Sequence, residues 1–288
     1  MKRDVDDSVR VALRRVWPDP ATVEKAQIRA LGGGVNPRTF LAVAGKHRYV
    51  LRLPHSESVA LLDLESEARA MRAAVAADLA PAVIAVDIEA GLLLTEYRAM
   101  PWTHELVPQP IAISVIVRLL RALHSLPVDL PVYAVESIAM RYLAALDALQ
   151  SPMSAEERVW ADELLRLAHG FEASHAPTAF CHTDLVASNI LIDGAAARLI
   201  DFEYAGRGAP LLDLASLAGL NGFTAEQRLQ LLSEYYGRSV AGPMAREFDD
   251  AIRMLQLLGY FWARVATQRI PGTDVYARLA AELSSTLK

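Results

Sequence analysis

Cysteine is nearly absent from this chain: its 288 residues include one, Cys181. No intrachain disulfide can form, and zinc sites built from several thiolates are excluded. A long apolar run is lacking too. The longest stretch, residues 111–123, is broken by Arg118 and Arg121, too short and too charged to read as a bilayer span. Nor is there an excess of positive charge. Twenty-nine Lys and Arg stand against 34 Asp and Glu, a formal net charge of −5, whereas a nucleic-acid binder is expected to present a basic face. The first ten residues are charged and lack the apolar region of a secretory signal. These absences lead us to expect a cytoplasmic protein that partners neither nucleic acid nor membrane.

What is present is an ample core: 53% of residues are apolar and 22% charged, the balance of a folded protein rather than a disordered one. The length suits one large domain or two lobes. Short β runs at residues 26–31, 39–43 and 47–53 are separated by Gly32-Gly33-Gly34 and by Gly45-Lys46, and predict an antiparallel meander. Apolar residues at helical spacing (Leu64, Ala68, Met71, Val75, Leu79) predict a helix over 61–79, and two further strands follow at 83–86 and 92–96. Beyond Pro101 the pattern turns helical: 111–126, 137–149, 155–169, 211–220, 224–236, 243–268 and 273–287. One β patch interrupts, at 190–192 and 198–200 around Asp193-Gly194. The expected class is α+β, a bilobal, protein-kinase-like fold. Its small β-rich N-terminal lobe, with a helical lead-in, spans 1–98; a larger, mainly helical catalytic lobe spans 99–288.

The chemistry concentrates in His182-Thr183-Asp184-Leu185-Val186-Ala187-Ser188-Asn189. His-x-Asp, four residues, then Asn is the spacing of a kinase catalytic loop. Asp184 would orient an acceptor hydroxyl and take its proton. Asn189 would return to the same cleft and offer an amide oxygen to magnesium, a cation that prefers oxygen ligands completed by phosphate and water. His182 is grouped with Asp184 as a catalytic-loop residue that braces the loop by hydrogen bonds. Twelve residues after Asn189 comes Asp201-Phe202-Glu203-Tyr204-Ala205-Gly206. The Asp-Gly turn makes the intervening stretch a hairpin, which would bring Asp201 back as the second metal ligand. Glu203 stands where protein kinases carry glycine. Either motif alone is common in ordinary structure; the two at this separation point to phosphoryl transfer.

These motifs, with Asp213-Leu214-Ala215 downstream, resemble the aminoglycoside phosphotransferase superfamily. Asp-Phe-Glu-Tyr-Ala-Gly is most similar to its choline/ethanolamine kinase branch and to the related bacterial thiamine kinases. The resemblance covers about residues 26–268. It implies ATP between two lobes, Mg2+ on the positions of Asn189 and Asp201, and Asp213 tying down the catalytic loop; a helix N-cap is the other reading of Asp213. Gly33 and Gly34 belong to a loop that would cover phosphates, although relatives place the aromatic residue differently after the Asn, and Pro37 removes one donor. Arg52 occupies the place of the kinase lysine, with Glu67 on the next helix as its partner. Glu96 and Tyr97 form a hinge expected to meet adenine through backbone groups.

For the acceptor, a cation would want aromatic faces and a carboxylate. The family resemblance makes Trp262 the first choice, with Glu203 as the carboxylate near the acceptor; Tyr235, Tyr236 and Trp102 are further candidates. Aromatic residues in a long helix also serve simply as core. An aminoglycoside would instead want acidic residues such as Glu247, Asp249 and Asp250, which a solvated helix face explains equally well. The leading reading is an ATP- and Mg-dependent kinase of a small cationic alcohol; the alternatives are an antibiotic phosphotransferase and a catalytically silent pseudokinase. A protein kinase is disfavoured, because eleven residues between Asp201 and Asp213 leave no room for an activation loop.

Overall fold

The computed structural model describes residues 2–31, 39–53, 64–98, 103, 105–193, 196–270 and 274–287. Gly33, Gly34 and Trp102 lie outside the described residues, as does most of the expected connector between the lobes.

The N-terminal part is a five-stranded antiparallel sheet in the order β1-β2-β3-β5-β4. Its strands are β1 (Gln27–Ala30), β2 (Thr39–Ala44), β3 (His47–Arg52), β4 (Val83–Asp87) and β5 (Leu92–Glu96). The turn at Gly45, with φ +59°, closes the β2–β3 hairpin at Ala44 opposite His47. The lead-in is an ordered helix, α1 (Lys2–Val16), followed by a 3-10 turn, Pro20–Lys25. Val9, Leu13 and Val16 recur at helical spacing, so one face of α1 is apolar. That face, with Trp17, packs on Phe40, Leu51 and Leu94 of the sheet to form a small core.

Between β3 and β4 runs α2 (Leu64–Ala76). Its Ala70, Met71 and Ala74 belong to the larger core, which the C-terminal helices build. Asp78 and Leu79, just after α2, bind the β7–β8 hairpin (Ile190–Asp193 and Ala196–Leu199): Arg198 forms an ion pair with Asp78 at 2.8 Å, and the Leu199 amide donates to the Leu79 carbonyl. A helix that precedes residue 98 is thus sewn to the catalytic half.

The larger part holds α3 (Pro110–His124), α4 (Val135–Ala148), α5 (Ala155–Ser174), α6 (Pro210–Leu220), α7 (Ala225–Tyr236), α8 (Pro243–Arg269) and α9 (Val275–Leu287). Capping boxes start α5 (Ser154 with Glu157) and α7 (Thr224 with Gln227), each satisfying amides that a helix start leaves orphaned. α6 is apolar around most of its circumference and is buried along most of its length, as an all-round apolar helix must be. Two strands escape the sequence pattern: β6 (Ala179–Cys181) and β9 (Gly206–Gly208), paired antiparallel. Three residues are too few for an alternation to register. No helix among the described residues is long and apolar enough to cross a membrane.

Candidate active site

The loop from β6 to β7 is held from below by α6. Asp213, fully buried in the first turn of α6, accepts from the His182 amide (2.9 Å) and the Thr183 amide (2.7 Å). Ser216, one turn on, accepts from the Leu185 amide (2.9 Å) and donates to the Thr183 carbonyl (3.2 Å). Asn221 donates to the Leu185 carbonyl at 2.8 Å. Three polar residues on an apolar helix therefore satisfy a loop that has no ladder of its own. Asp213 ties down the loop and is not an N-cap; Ala209 occupies that position. Burial by itself would raise its pKa, but hydrogen bonds from His124 and from the loop hold it below the ordinary carboxylate range.

Thr183 sits at φ +66°, a left-handed conformation that costs a β-branched residue about 1–3 kcal/mol. The surrounding bonds impose it, including one from its own hydroxyl to the Tyr204 carbonyl at 2.7 Å. His182 is completely buried. Its Nε2 lies 2.9 Å from the Ile200 carbonyl, which can only accept, while its Nδ1 accepts from the Asp184 amide at 3.3 Å. Both ring nitrogens are occupied, so His182 positions the loop and is not free to exchange a proton with an acceptor.

The strain and bracing present Asp184. Asn189, at the end of a 3-10 turn (Ala187–Asn189), donates its Nδ2 to the Asp184 carbonyl (3.0 Å) and to its carboxylate (2.9 Å). The Asn189 amide oxygen is left without a partner among the described residues. The Ile200 amide donates to the Asn189 carbonyl at 3.0 Å, which fixes the next motif beside the loop. Asp201 follows with φ +67°. Burial, with the Asp201 charge adding to it, pushes the Asp184 carboxyl up to about 6.

Arg52 reaches down from β3 into this acidic group. It pairs with Glu67 of α2, contacts Asp201 at 2.5 Å and lies 3.9 Å from Glu203. The expected Arg52–Glu67 pair is present, and the contact with Asp201 is an addition that the sequence did not disclose. Burial would lower the guanidinium's pKa, but Asp201, Glu67 and Glu203 together raise it. Glu203 is pushed up to about 8, by burial first and then by Asp201.

At the hinge, the Glu96 amide donates to the Ala82 carbonyl (2.9 Å) and the Tyr97 amide to the Arg48 carbonyl (2.9 Å). Neither of these N–H groups is left for a base, so any contact that these two positions make with adenine runs through their carbonyls. The side chains are engaged elsewhere, Glu96 with Arg98 at 3.0 Å and the Tyr97 ring beneath Arg48 at 4.4 Å.

The aromatic candidates divide. Trp262 is half-buried, packs edge-on against Tyr276 of α9 with centroids 5.6 Å apart, and has a buried indole N–H with no partner among the described residues. Tyr276 in turn lies close enough to Glu203 for that charge to raise its pKa beyond the effect of burial. Tyr142 of α4 and Tyr204 respond to Glu203 in the same way, and Tyr133 to Asp184. Tyr236 belongs to other company: it packs on Tyr235 at 5.1 Å and is near Arg238 and Glu247. Glu247 lies fifteen residues before Trp262 on one helix, about 22 Å at 1.5 Å per residue. Tyr236 therefore does not share the Trp262 pocket.

Tyr133, Tyr142 and Tyr276 were missed, because only packing brings these elements together. Gly206 is one discernible signal: a Cβ there would come within 3.1 Å of the Pro131 carbonyl and the Tyr133 Cβ. Only glycine lets the segment before α4 lie against β9, with Tyr133 facing the loop.

The residues fit a hard divalent cation: the Asp201 carboxylate and the Asn189 amide oxygen, which has no partner among the described residues, could offer oxygen ligands from adjoining segments. The chain is similar to known proteins in sequence and in fold. The phosphotransferase enzyme family matches residues 27–248. Protein LicA of Haemophilus influenzae is 26% identical over 260 residues, 86% of this chain and 76% of that protein. Among solved structures, a choline/ethanolamine kinase family protein from Mesorhizobium loti matches with TM-score 0.79 at 24% identity, over 98% of this chain and 92% of that one. Choline kinase LicA from Streptococcus pneumoniae matches with TM-score 0.80 at 16% identity, over 99% of both chains. The fold is that of the protein-kinase-like phosphotransferases, and the chain belongs to the phosphotransferase enzyme family.

Proposed function

We propose that this protein transfers the γ-phosphoryl group of ATP, with Mg2+, to the hydroxyl of a small cationic alcohol of the choline, ethanolamine or thiamine type. The observation that carries the acceptor is the grouping of Glu203 with Tyr142, Tyr276 and Trp262 beside Asp184. Aromatic faces attract a quaternary or protonated amine, by about 0.5–2 kcal/mol each, and the carboxylates add to that field. The substrate names of the similar proteins point the same way.

On this reading Asp184 accepts the hydroxyl proton as the acceptor oxygen bonds to the γ-phosphorus and the bond to the β-γ bridging oxygen breaks. A carboxyl pushed up to about 6 is ionised near neutrality yet basic enough for that task. Arg52 turns from Asp201 towards phosphate oxygens and keeps Glu67. Asp201 and Asn189 would hold magnesium, which supplies positive charge to the transferring phosphates. The chain divides near residue 98 into a nucleotide lobe and a catalytic lobe, and ATP as donor places the work in the cytoplasm.

Two rivals are weakened by particular residues. Asp249 is bound to Arg228 at 2.9 Å and Glu247 faces His175 at 3.9 Å, at the α8 end remote from Trp262, so those acids do not form an aminoglycoside cradle. A silent pseudokinase would lack one of Asp184, Asn189 and Asp201, and all three are present and converge. Incubation with Mg-ATP and a panel of choline, ethanolamine, thiamine and aminoglycosides tests the proposal. Turnover of one of the first three is expected; turnover of antibiotics alone would refute it. Trp262→Ala should raise the KM for the alcohol about tenfold with little change for ATP.

A further inference from the structure

We propose that Tyr235, outside the catalytic cleft, is a positioning residue that holds Asp184 in place through a buried relay of His124 and Asp213. The inference rests on the reading of Asp184 as the proton acceptor and adds a distal determinant to it. The Tyr235 hydroxyl lies 2.7 Å from His124 Nδ1, and His124 Nε2 lies 3.0 Å from Asp213 Oδ2. The same Asp213 carboxylate receives the amides of His182 and Thr183, the two residues before Asp184.

The direction of every bond follows from the acceptor at the centre. A carboxylate that accepts two backbone N–H groups accepts from the imidazole too, so Nε2 carries the ring proton. In the neutral ring Nδ1 is then the acceptor and the Tyr235 hydroxyl the donor. The His124 side chain is 4% exposed and that of Asp213 is not exposed at all, so no solvent stands ready to substitute for any partner. Tyr235 is itself clamped. Arg121 of α3 donates to the carbonyls of Glu234 (2.8 Å) and Tyr235 (2.9 Å) at the end of α7, and Ser114 donates to the Glu234 carboxylate at 2.7 Å. The end of α7 is thereby fixed on α3, the helix that carries His124.

Removing the hydroxyl leaves Nδ1 buried without a donor. The ring keeps its Nε2–H on Asp213 but loses the contact that sets its plane, and any turn that seeks a new donor for Nδ1 weakens the Nε2–Asp213 bond. Asp213 is what holds Thr183 in its left-handed conformation, so relaxation there displaces Asp184. The nucleotide side, built on Arg52 and Glu67, has no part in the relay.

The test is Tyr235→Phe in the full-length protein, with thermal unfolding recorded to show that the variant is folded. We expect kcat with choline and Mg-ATP to fall about fivefold, roughly the worth of one neutral hydrogen bond, with the KM for ATP within about twofold. His124→Phe offers neither a donor to Asp213 nor an acceptor to Tyr235. Tyr235→Phe in that background should have no further effect, a coupling that a merely structural role would not produce. The imidazole nitrogen resonances of His124 should also move in Tyr235→Phe. Unchanged kcat, additive losses in the double variant, or an unmoved His124 Nδ1 signal would each overturn the relay. If the wild type transfers phosphate to no alcohol, the acceptor reading fails by itself, and the His124 signal still decides the relay.

Discussion

The two sides of the cleft are held by different forces. Beneath the catalytic loop, Asp213, Ser216 and Asn221 bind backbone amides and carbonyls from a buried helix, with no reference to any ligand. Across the cleft, Arg52 is held by side-chain charge alone, shared among Glu67, Asp201 and Glu203. The first arrangement is set once the chain folds. On the proposed function the second rearranges when phosphate arrives, as Arg52 turns from Asp201 Oδ1 towards phosphate oxygens. The catalytic group would then be pre-formed, and the nucleotide group assembled by what it binds.

This contrast can be broken most forcefully at Asp184. Asp184→Asn keeps the shape and its bond with Asn189 but removes the proton acceptor. We expect kcat to fall about 10²–10⁴-fold while calorimetry shows ATP affinity within about threefold of wild type. A large loss of ATP affinity would mean that the two sides are not separable. Next in size is Asp213→Ala, which leaves two buried amides and the His124 N–H without an acceptor. Each orphaned group costs about 1–3 kcal/mol, so denaturant unfolding should register a loss of about 3 kcal/mol or more. Stability unchanged in that variant would show the loop to be held by something other than α6.

Arg52→Ala should act the other way round, on binding more than on stability. The KM for ATP should rise about ten- to a hundredfold, the range of one lost charge-assisted contact of about 1.5–3 kcal/mol. Glu67, whose pKa burial already raises, takes up a proton in place of its partner, which limits the damage to the fold. A fall in kcat with unaltered KM would place Arg52 in the chemistry instead.

How much of this was legible in the sequence follows the same division. The meeting of Asp184, Asn189 and Asp201 was legible in their spacing, because the β7–β8 hairpin between them announces itself through Asp193-Gly194. Arg52 and Glu67 were readable through the meander and helix that carry them. Of the expected hinge groups, the Glu96 and Tyr97 amides are already engaged with Ala82 and Arg48, a matter of register that a strand pattern does not encode. Tyr142 and Tyr276 were invisible, since α4 and α9 reach Glu203 only through tertiary packing. Tyr236 looked suitable by composition, but the latch between α7 and α3 holds it elsewhere. Asp213 could be named from resemblance alone; its geometry explains why an acid is needed there.

The smallest expected effect is in the pH dependence of stability, where the two sides should differ in sign. Asp213 has a lowered pKa in the folded state. Its contribution is present above the unfolded carboxylate pKa of about 3.9 and is lost as pH falls through its lower folded value. Glu203 is the opposite case: burial and Asp201 push it up to about 8, so between about pH 4.3 and 8 the folded state holds a proton that the unfolded chain has released. Stability should therefore rise as pH falls through that window, and decline once Asp213 titrates below it. For a partly exposed carboxylate the gain should be about 1–2 kcal/mol. Glu203→Gln carries no proton to exchange, so denaturant midpoints should lose the slope between pH 8 and 6, while the part that Asp184 and Glu67 add at lower pH and the acid-side decline remain. A slope that survives between pH 8 and 6 in Glu203→Gln would assign the proton to Glu67 or Asp184, and a decline that begins well above pH 4 would mean that Asp213 is held less firmly than its hydrogen bonds require.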